Sequence, residues 1–458
     1  MITRNLAMRL HGIKYDVLPE ETRRMAKKCI LDWLGCAIRG WTQPGIRKLA
    51  SALGVNSGPE EATMFNGELS GCTNTALHAA LLNSAASHSL DFDDLHNASI
   101  VHLGCVTVPA AFAIAEARRL SGKEIISSIV AGYEAGARIG ESVNPESYHF
   151  WHTTATVGTF SSSATAASLL NLDIDQIVEC LGSAGTQSAG LWEFLADGAM
   201  SKTLHTGKAV YAGMLSAKLS EAGFTAAKKI LEGEKGFCLA VSPKPHWQAL
   251  TDGELSQYKI DENSFKPYAC CKHTHPANYA MQLLKAEHGL KVDNVKSLEV
   301  RTNNVAKNLV DNKTPQNPYG SKFSIQFCIA TILKYGKLGI DEFCEENLAD
   351  EDIRRLMPNI DVYVDENLEK EFIERPERWS AKLSVEDING NKLDRFVEYP
   401  KGDPPNPLAW EEIADKFMAL VEPCYDRAIA EKLCAMVDNM EEISDFRAAL
   451  KHCFQTTQ

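Results

Sequence analysis

The stretch SHSLDFDDLHNASIVH, Ser87 to His102, interleaves Asp91, Asp93 and Asp94 with His88, His96 and His102. Imidazoles titrate near neutrality and carboxylates can orient or charge them, so this composition can move protons. It also carries enough donors for a metal ion, although the spacing matches no standard ligand motif such as HExxH. A third reading is a polar turn of Asx motifs and helix caps. The stretch precedes a helix expected to begin near Pro109, and local chemistry leaves all three readings open.

Three further polar clusters follow. In FWHTTATVGTFSSSA, His152 stands in a Thr/Ser/Gly-rich run with no other acid or base. Such a histidine is commonly a packed or capping residue, and it also suits a helix N-terminus facing a ligand. GAMSKTLHTGKAVYAG brings Lys202, His205 and Lys208 together with no acid among them. With Thr206 as an expected N-cap and Gly207 allowing close approach, this reads as an anion site, against the alternative of a solvated basic turn. SFKPYACCKHTHPANYA sets Lys266, Lys272, His273 and His275 around Cys270 and Cys271. A reactive thiol there is weighed against the commoner buried one. Together these clusters fit a substrate with more than one carboxylate: lysines and helix termini would hold it and histidines would move protons. The chain has no GxGxxG after a strand, no GxxxxGK[ST] and no GxSxG, so nucleotide binding and α/β-type serine hydrolysis have no signature here.

The elements that must position these groups fall into two kinds. From about Leu18 to Leu239 the pattern is helical. In LPEETRRMAKKCILDWLGCAIRG, Met25, Cys29, Ile30, Trp33, Leu34 and Ala37 recur at helical spacing. Later segments such as TFSSSATAASLLNL are rich in Ala, Gly and Ser, which lets helix axes approach closely. Near Tyr258 the character changes. VKSLEVRTNN, DVYVDEN and WSAKLSVEDINGNKLDRFVEYP alternate at period two, with Asn389-Gly390 as a hairpin signal. KGDPPNP, Lys401 to Pro407, reads as a linker, after which helices resume and rejoin the first part. The acidic run Asp341 to Asp352 reads as a solvated helix face. The expected fold is mainly α with a second α+β domain: residues 1–260 and 405–458 form a large all-helical domain and residues 261–404 a smaller α+β lid.

With 458 residues the chain is too long for one simple core. Its net charge of -13 disfavours nucleic acid and anionic membranes, while a local basic pocket can still hold a small anion. The start has no secretory signal, and no apolar run approaches the length of a membrane span. The 13 scattered cysteines form no CxxC pair. They read as reduced thiols of a cytoplasmic protein without a structural zinc site.

Read in order, six segments resemble the MmgE/PrpD family, which includes 2-methylcitrate dehydratase, cis-aconitate decarboxylase and iminodisuccinate epimerase. They are LPEETRRMAKKCILDWLGCAIRG, FNGELSGCTNTALHAALLNSAASHSLDFDDLHNASIVHLG, YHFWHTTATVGTF, SKTLHTGKA, ILEGEKGF and FKPYACCKHTHPA. The resemblance implies a helical domain with an α+β lid, a homodimer, a di- or tricarboxylate substrate, and no organic cofactor or metal. Asp91 and His102 match the acidic residue and second histidine of the signature, and His152 matches the histidine of the Trp/Phe-His-Thr motif. Lys202 matches the lysine before Leu-His, and Lys266 the lysine opening the lid motif. The sequence departs from the pattern at three places. Cys271 falls where the animal decarboxylase branch has histidine, Leu95 where that branch and many others have threonine, and HLGC replaces the commoner HPGS.

The resemblance implies a lyase acting on a hydroxy-polycarboxylic acid, dehydratase-like first. Decarboxylation, epimerisation and non-catalytic polycarboxylate binding are the alternatives. His102 and His152 are the expected acid/base pair, with Asp91 orienting or charging His102. Lys202 and Lys266 are expected to stabilise the developing enolate-like charge, and lid closure would exclude water. His205, Lys208, Lys272, His275, Cys271 and Leu95 are expected around the substrate. Asp93, Asp94 and Asn97 are expected to be structural.

Overall fold

LPEETRRMAKKCILDWLGCAIRG forms the helix Glu20–Gly40, with Glu20 and Glu21 in its first turn, where carboxylates complement the dipole. From Cys29 onward almost every side chain is buried. Trp33 anchors this core, meeting Phe65 and Phe112 edge-to-face at centroid distances of 5.9 and 5.1 Å. The computed structural model describes residues 1–54, 59–66, 73–194, 199–254 and 256–455. Residues 67–72 of the segment beginning FNGELSG lie outside the described residues.

Contacts divide the chain into two units: Met1–Ser89, Asp93–Asn263 and Ala409–Gln458 make the first, and Leu90–Phe92 with Ser264–Leu408 the second. The first is helical. Its centre is the helix Thr153–Leu169, which packs on Ser201–Glu221, Gly122–Val143 and Gly104–Arg118. This central helix has no polar face: nearly all its residues are buried, Ser and Thr included. Their hydroxyls bond back to their own helix, Thr159 to Ala155 O at 3.1 Å, Ser162 to Gly158 O at 2.8 Å and Thr165 to Ser161 O at 3.0 Å. Burial therefore leaves no hydroxyl of these three unsatisfied, and the small side chains admit close neighbours.

The second unit carries a four-stranded sheet in the order Ile360–Val364, Val295–Thr302, Ala381–Asp387, Lys392–Val397. The first pair is parallel and the other two antiparallel. Leu298, Val300, Leu383 and Val385 are buried, as period-two alternation requires, under the helix His275–His288, which packs on Ile325–Tyr335. Asn389 and Gly390 turn the hairpin between the last two strands, Gly390 at φ +84. The chain is thus mainly α with an α+β part.

Two local expectations are corrected. KGDPPNP is a packed turn, not a linker: Phe265 N donates to Gly402 O at 2.9 Å, and Asp403 is fully buried. Gly402 has φ +97, and a Cβ there would lie 2.1 Å from Phe265 O, so only glycine fits. The helix expected near Pro109 begins at Gly104 and carries Pro109 inside it. Proline cannot donate to the Cys105 carbonyl four residues back. Ser84 Oγ donates to that carbonyl at 2.6 Å instead, so the proline is tolerated.

Candidate active site

The helix Ala76–His88 starts at Thr75, whose hydroxyl accepts from His78 N, and ends on a buried histidine. Three residues on, Asp91 takes the left-handed conformation at φ 55, and Ile100 does so at φ 52. For a β-branched residue this is a strained conformation that the surroundings must hold. They do so visibly. His96 and Val101 exchange backbone hydrogen bonds, Thr153 Oγ1 donates to Ile100 O at 2.7 Å, and His102 N donates to Thr154 Oγ1 at 3.1 Å. Beyond it, Gly104 N donates to Asp94 Oδ1, and Asp94 Oδ2 accepts from Tyr133 Oη at 2.7 Å and Asn263 Nδ2 at 2.8 Å. Burial, then neighbouring Asp32, pushes the Asp94 carboxyl up to about 7. Asp94 is structural, as expected: it ties the loop to the helix start.

Asp93 is the carboxylate among the histidines. Its Oδ2 accepts from His88 Nδ1 at 2.8 Å and lies 3.3 Å from His102 Nδ1. Burial raises the Asp93 carboxyl, but the charges of His102 and His88 outweigh it and hold the group well below its ordinary range. The His88 ring stands 4.8 Å from that of His102 and stacks 5.5 Å from that of His152. His152 is the N-cap residue of Thr153–Leu169, its N–H given to Gly190 O. Its Nδ1 lies 3.2 Å from His205 Nδ1, so one of the two nitrogens donates and the other accepts. Trp192 lies 4.7 Å from the His152 ring. Burial first, then the other histidines and Lys202, pushes His152 well below 6.5. Burial with Asp93 opposing leaves His88 at about 4, and burial with Lys208 and Lys202 leaves His205 at about 4. At pH 7 these three rings are neutral.

The second unit assembles a different group. Lys266, fully buried, donates from Nζ to Asp91 O at 3.0 Å and to Asp91 Oδ1 at 3.1 Å. Lys322, also buried, donates to Leu90 O at 2.7 Å and Ala269 O at 2.9 Å. Burial lowers its ammonium to about 8, with Asp91 opposing. Two lysines thus grip the short run Leu90–Phe92.

Several expected roles change. Asp91 pairs with Lys266, and the carboxylate against His102 is Asp93, expected to be structural. The left-handed turn at Asp91 breaks any regular alternation, so spacing could not show which aspartate faces the histidines. Thr206 is not an N-cap: the helix starts at Ser201, and Thr206 lies inside it, bonded to Ser84 O and Thr203 O. Lys208 gives its ammonium to the Gln187 carbonyl. Lys272 forms a buried ion pair with Asp403 at 2.6 Å. His275 bonds through Nε2 to Cys270 O, and burial drives it well below 6.5. Cys271 donates its backbone N–H to Lys322 O, and Leu95 is buried in a two-residue strand. Trp192 was not anticipated beside these histidines, Lys322 was not anticipated in the second unit's group, and His88 was named in the opening stretch without a role. For His88 a signal existed, since it lies where an apolar helical run meets the acidic loop.

Two groups of described residues place metal-type donors together: His88, Asp93 and Cys105, and His96, Glu141 and Glu262. In the second, Ser99 N–H donates to His96 Nδ1 at 3.3 Å. His96 Nε2 faces Glu262 at 3.6 Å.

The profile of the MmgE/PrpD N-terminal domain matches residues 4–250, and that of the MmgE/PrpD C-terminal domain matches residues 268–442. The chain belongs to the MmgE/PrpD family. Among curated relatives it is similar to the cis-aconitate decarboxylase of Aspergillus terreus, 24% identical over 468 residues, covering 95% of this chain and 92% of the relative. It is similar to the human cis-aconitate decarboxylase at 26% over 462 residues, 97% of this chain and 92% of the relative. The 2-methylcitrate dehydratase of Salmonella typhi is 22% identical over 423 residues, 85% of this chain and 84% of the relative. No described helix of this family member is long and apolar enough to cross a membrane.

Proposed function

We propose that the protein is a lyase acting on a hydroxy-tricarboxylic acid, removing water by acid/base proton transfer beside carboxylates. The observation that carries the reading is the Asp93–His102 pair at 3.3 Å beside neutral His152. His102 acts as the base at the carbon next to a carboxylate. Asp93 behind it balances the imidazolium that forms, the role a buried carboxylate plays behind a catalytic histidine. The C–H electron pair becomes the new double bond, the hydroxyl leaves, and the proton on His102 leaves with it as water. His152 stays neutral: with His205 donating to its Nδ1, its single N–H is on Nε2 and donates to a substrate oxygen. Lys202, whose charge reaches His88, His152 and His205, holds one carboxylate. Lys266, buried in the second unit, has Asp91 as its counter-ion.

A decarboxylase reading is favoured by one observation: the decarboxylase relatives match over more of the chain than the Salmonella dehydratase does. In that reaction His102, once protonated, would deliver a proton to the carbon that loses CO2. Incubation with 2-methylcitrate, citrate, cis-aconitate and iminodisuccinate, followed by proton NMR in D2O, separates the readings. Loss of water from a hydroxy acid supports dehydration, and CO2 release supports decarboxylation. Deuterium exchange without net conversion would point to epimerisation. Tight binding without any turnover would overturn the lyase reading.

A further inference from the structure

Cys105 lies in the first turn of Gly104–Arg118, fully buried, and its sulfur takes no part in the reaction above. Its Sγ, a His88 ring nitrogen and an Asp93 carboxylate oxygen all lie within 4.8 Å of one another, and His88 Nδ1 is 2.8 Å from Asp93 Oδ2. His102 is not one of that group; its Nδ1 lies 3.3 Å from Asp93 Oδ2. A tetrahedral zinc site with bonds of about 2.0–2.3 Å has its donors roughly 3.4 Å apart, a value that the 2.8 Å spacing and the 4.8 Å limit bracket. Cys105 Sγ donates to His102 O at 3.2 Å. Asp93 Oδ1 and His88 Nε2, both completely buried, make no hydrogen bond among the described residues. His102, with 13% of its side chain exposed, offers a way in.

We infer that His88, Asp93 and Cys105 form a zinc-binding site that shuts the acid/base centre. One thiolate, one imidazole and one carboxylate suit zinc or cadmium and not calcium or magnesium, which take oxygen ligands. Binding releases the Cys105 thiol proton and moves the His88 proton to Nε2, where no described residue bonds. The metal draws Asp93 away from His102, so turnover stops reversibly. Binding follows from the donor geometry, whereas inhibition rests on the roles proposed for His102 and Asp93.

The test is titration of the chelator-treated protein with Co2+, read by absorption, beside Zn2+ inhibition of turnover. Wild-type protein should show a thiolate-to-cobalt charge-transfer band and the intense visible bands of tetrahedral cobalt, and Zn2+ and chelator should reverse each other's effect on rate. Cys105→Ser should keep its basal rate, lose the charge-transfer band and need at least about tenfold more Zn2+ for inhibition. Cys105→Ala provides a second variant should the serine disturb packing. Cobalt bound without a thiolate band, or equal Zn2+ sensitivity in both variants, would overturn the site. A cobalt spectrum with the band but no turnover on any acid would support the site and count against the lyase reading alone.

Discussion

At the scale of single residues, charge separation among like side chains decides the chemistry. Two imidazoles, those of His88 and His102, face the Asp93 carboxylate, His152 stacks on His88 and meets His205, and burial keeps His88, His152 and His205 neutral. Asp93→Asn removes that carboxylate while keeping its shape. We expect kcat to fall by about 10²–10⁴-fold with little change in KM, measured by steady-state kinetics on the best acid. Lysines 202 and 208, six positions apart, should behave differently. Lys202→Met should raise KM about tenfold or more, the loss of a charge-assisted bond worth about 1.5–3 kcal/mol. Lys208→Met should leave KM nearly unchanged, because its ammonium already serves the Gln187 carbonyl. Equal effects of the two would contradict this division.

At the scale of elements, the site depends on helices held by unusual bonds. Ser84 stands in for the donor that Pro109 lacks. Ser84→Ala would strand a buried carbonyl and cost about 1–3 kcal/mol, visible as a lower denaturation midpoint with unchanged slope. A second device is Glu116, which accepts from Thr63 N at 2.7 Å and Thr63 Oγ1 at 2.8 Å. Burial pushes its carboxyl up to about 7 from its ordinary value of 4.5. The folded protein therefore binds more protons than the unfolded chain between these values. The stability this group contributes is complete below about 4.5 and is lost as pH rises through about 7. Melting temperatures taken between pH 4.5 and pH 7.5 should show an added downward slope for wild type that Glu116→Gln lacks. Parallel curves would assign the slope to other groups. The helical pattern of these segments was legible from apolar spacing. The start at Gly104 was not, because a proline inside a helix reads as its beginning unless a distant serine is known to satisfy the freed carbonyl.

At the scale of the whole molecule, the family resemblance implies a homodimer. Light scattering on the purified protein should give a mass near twice 50.4 kDa, and a monomer mass would remove that expectation. The mainly α character, the α+β part with its Asn-Gly hairpin, and the clusters that carry His102, His152, Lys202 and Lys266 could all be read in the sequence. Each rests on local periodicity, on turn chemistry or on a motif, and such signals span at most a few dozen residues. The tertiary structure alone decided which aspartate serves which partner. Asp91 and Asp93 are two residues apart and chemically identical, yet one neutralises Lys266 and the other stands between His88 and His102. A left-handed residue sets that difference, held by contacts with residues more than 170 positions away along the chain. The same reason pairs Lys272 with a buried Asp403, which sits in what reads as a linker. Spacing encodes what neighbours in sequence do together, whereas charge pairing across the fold is encoded only in the packing that brings distant segments into contact.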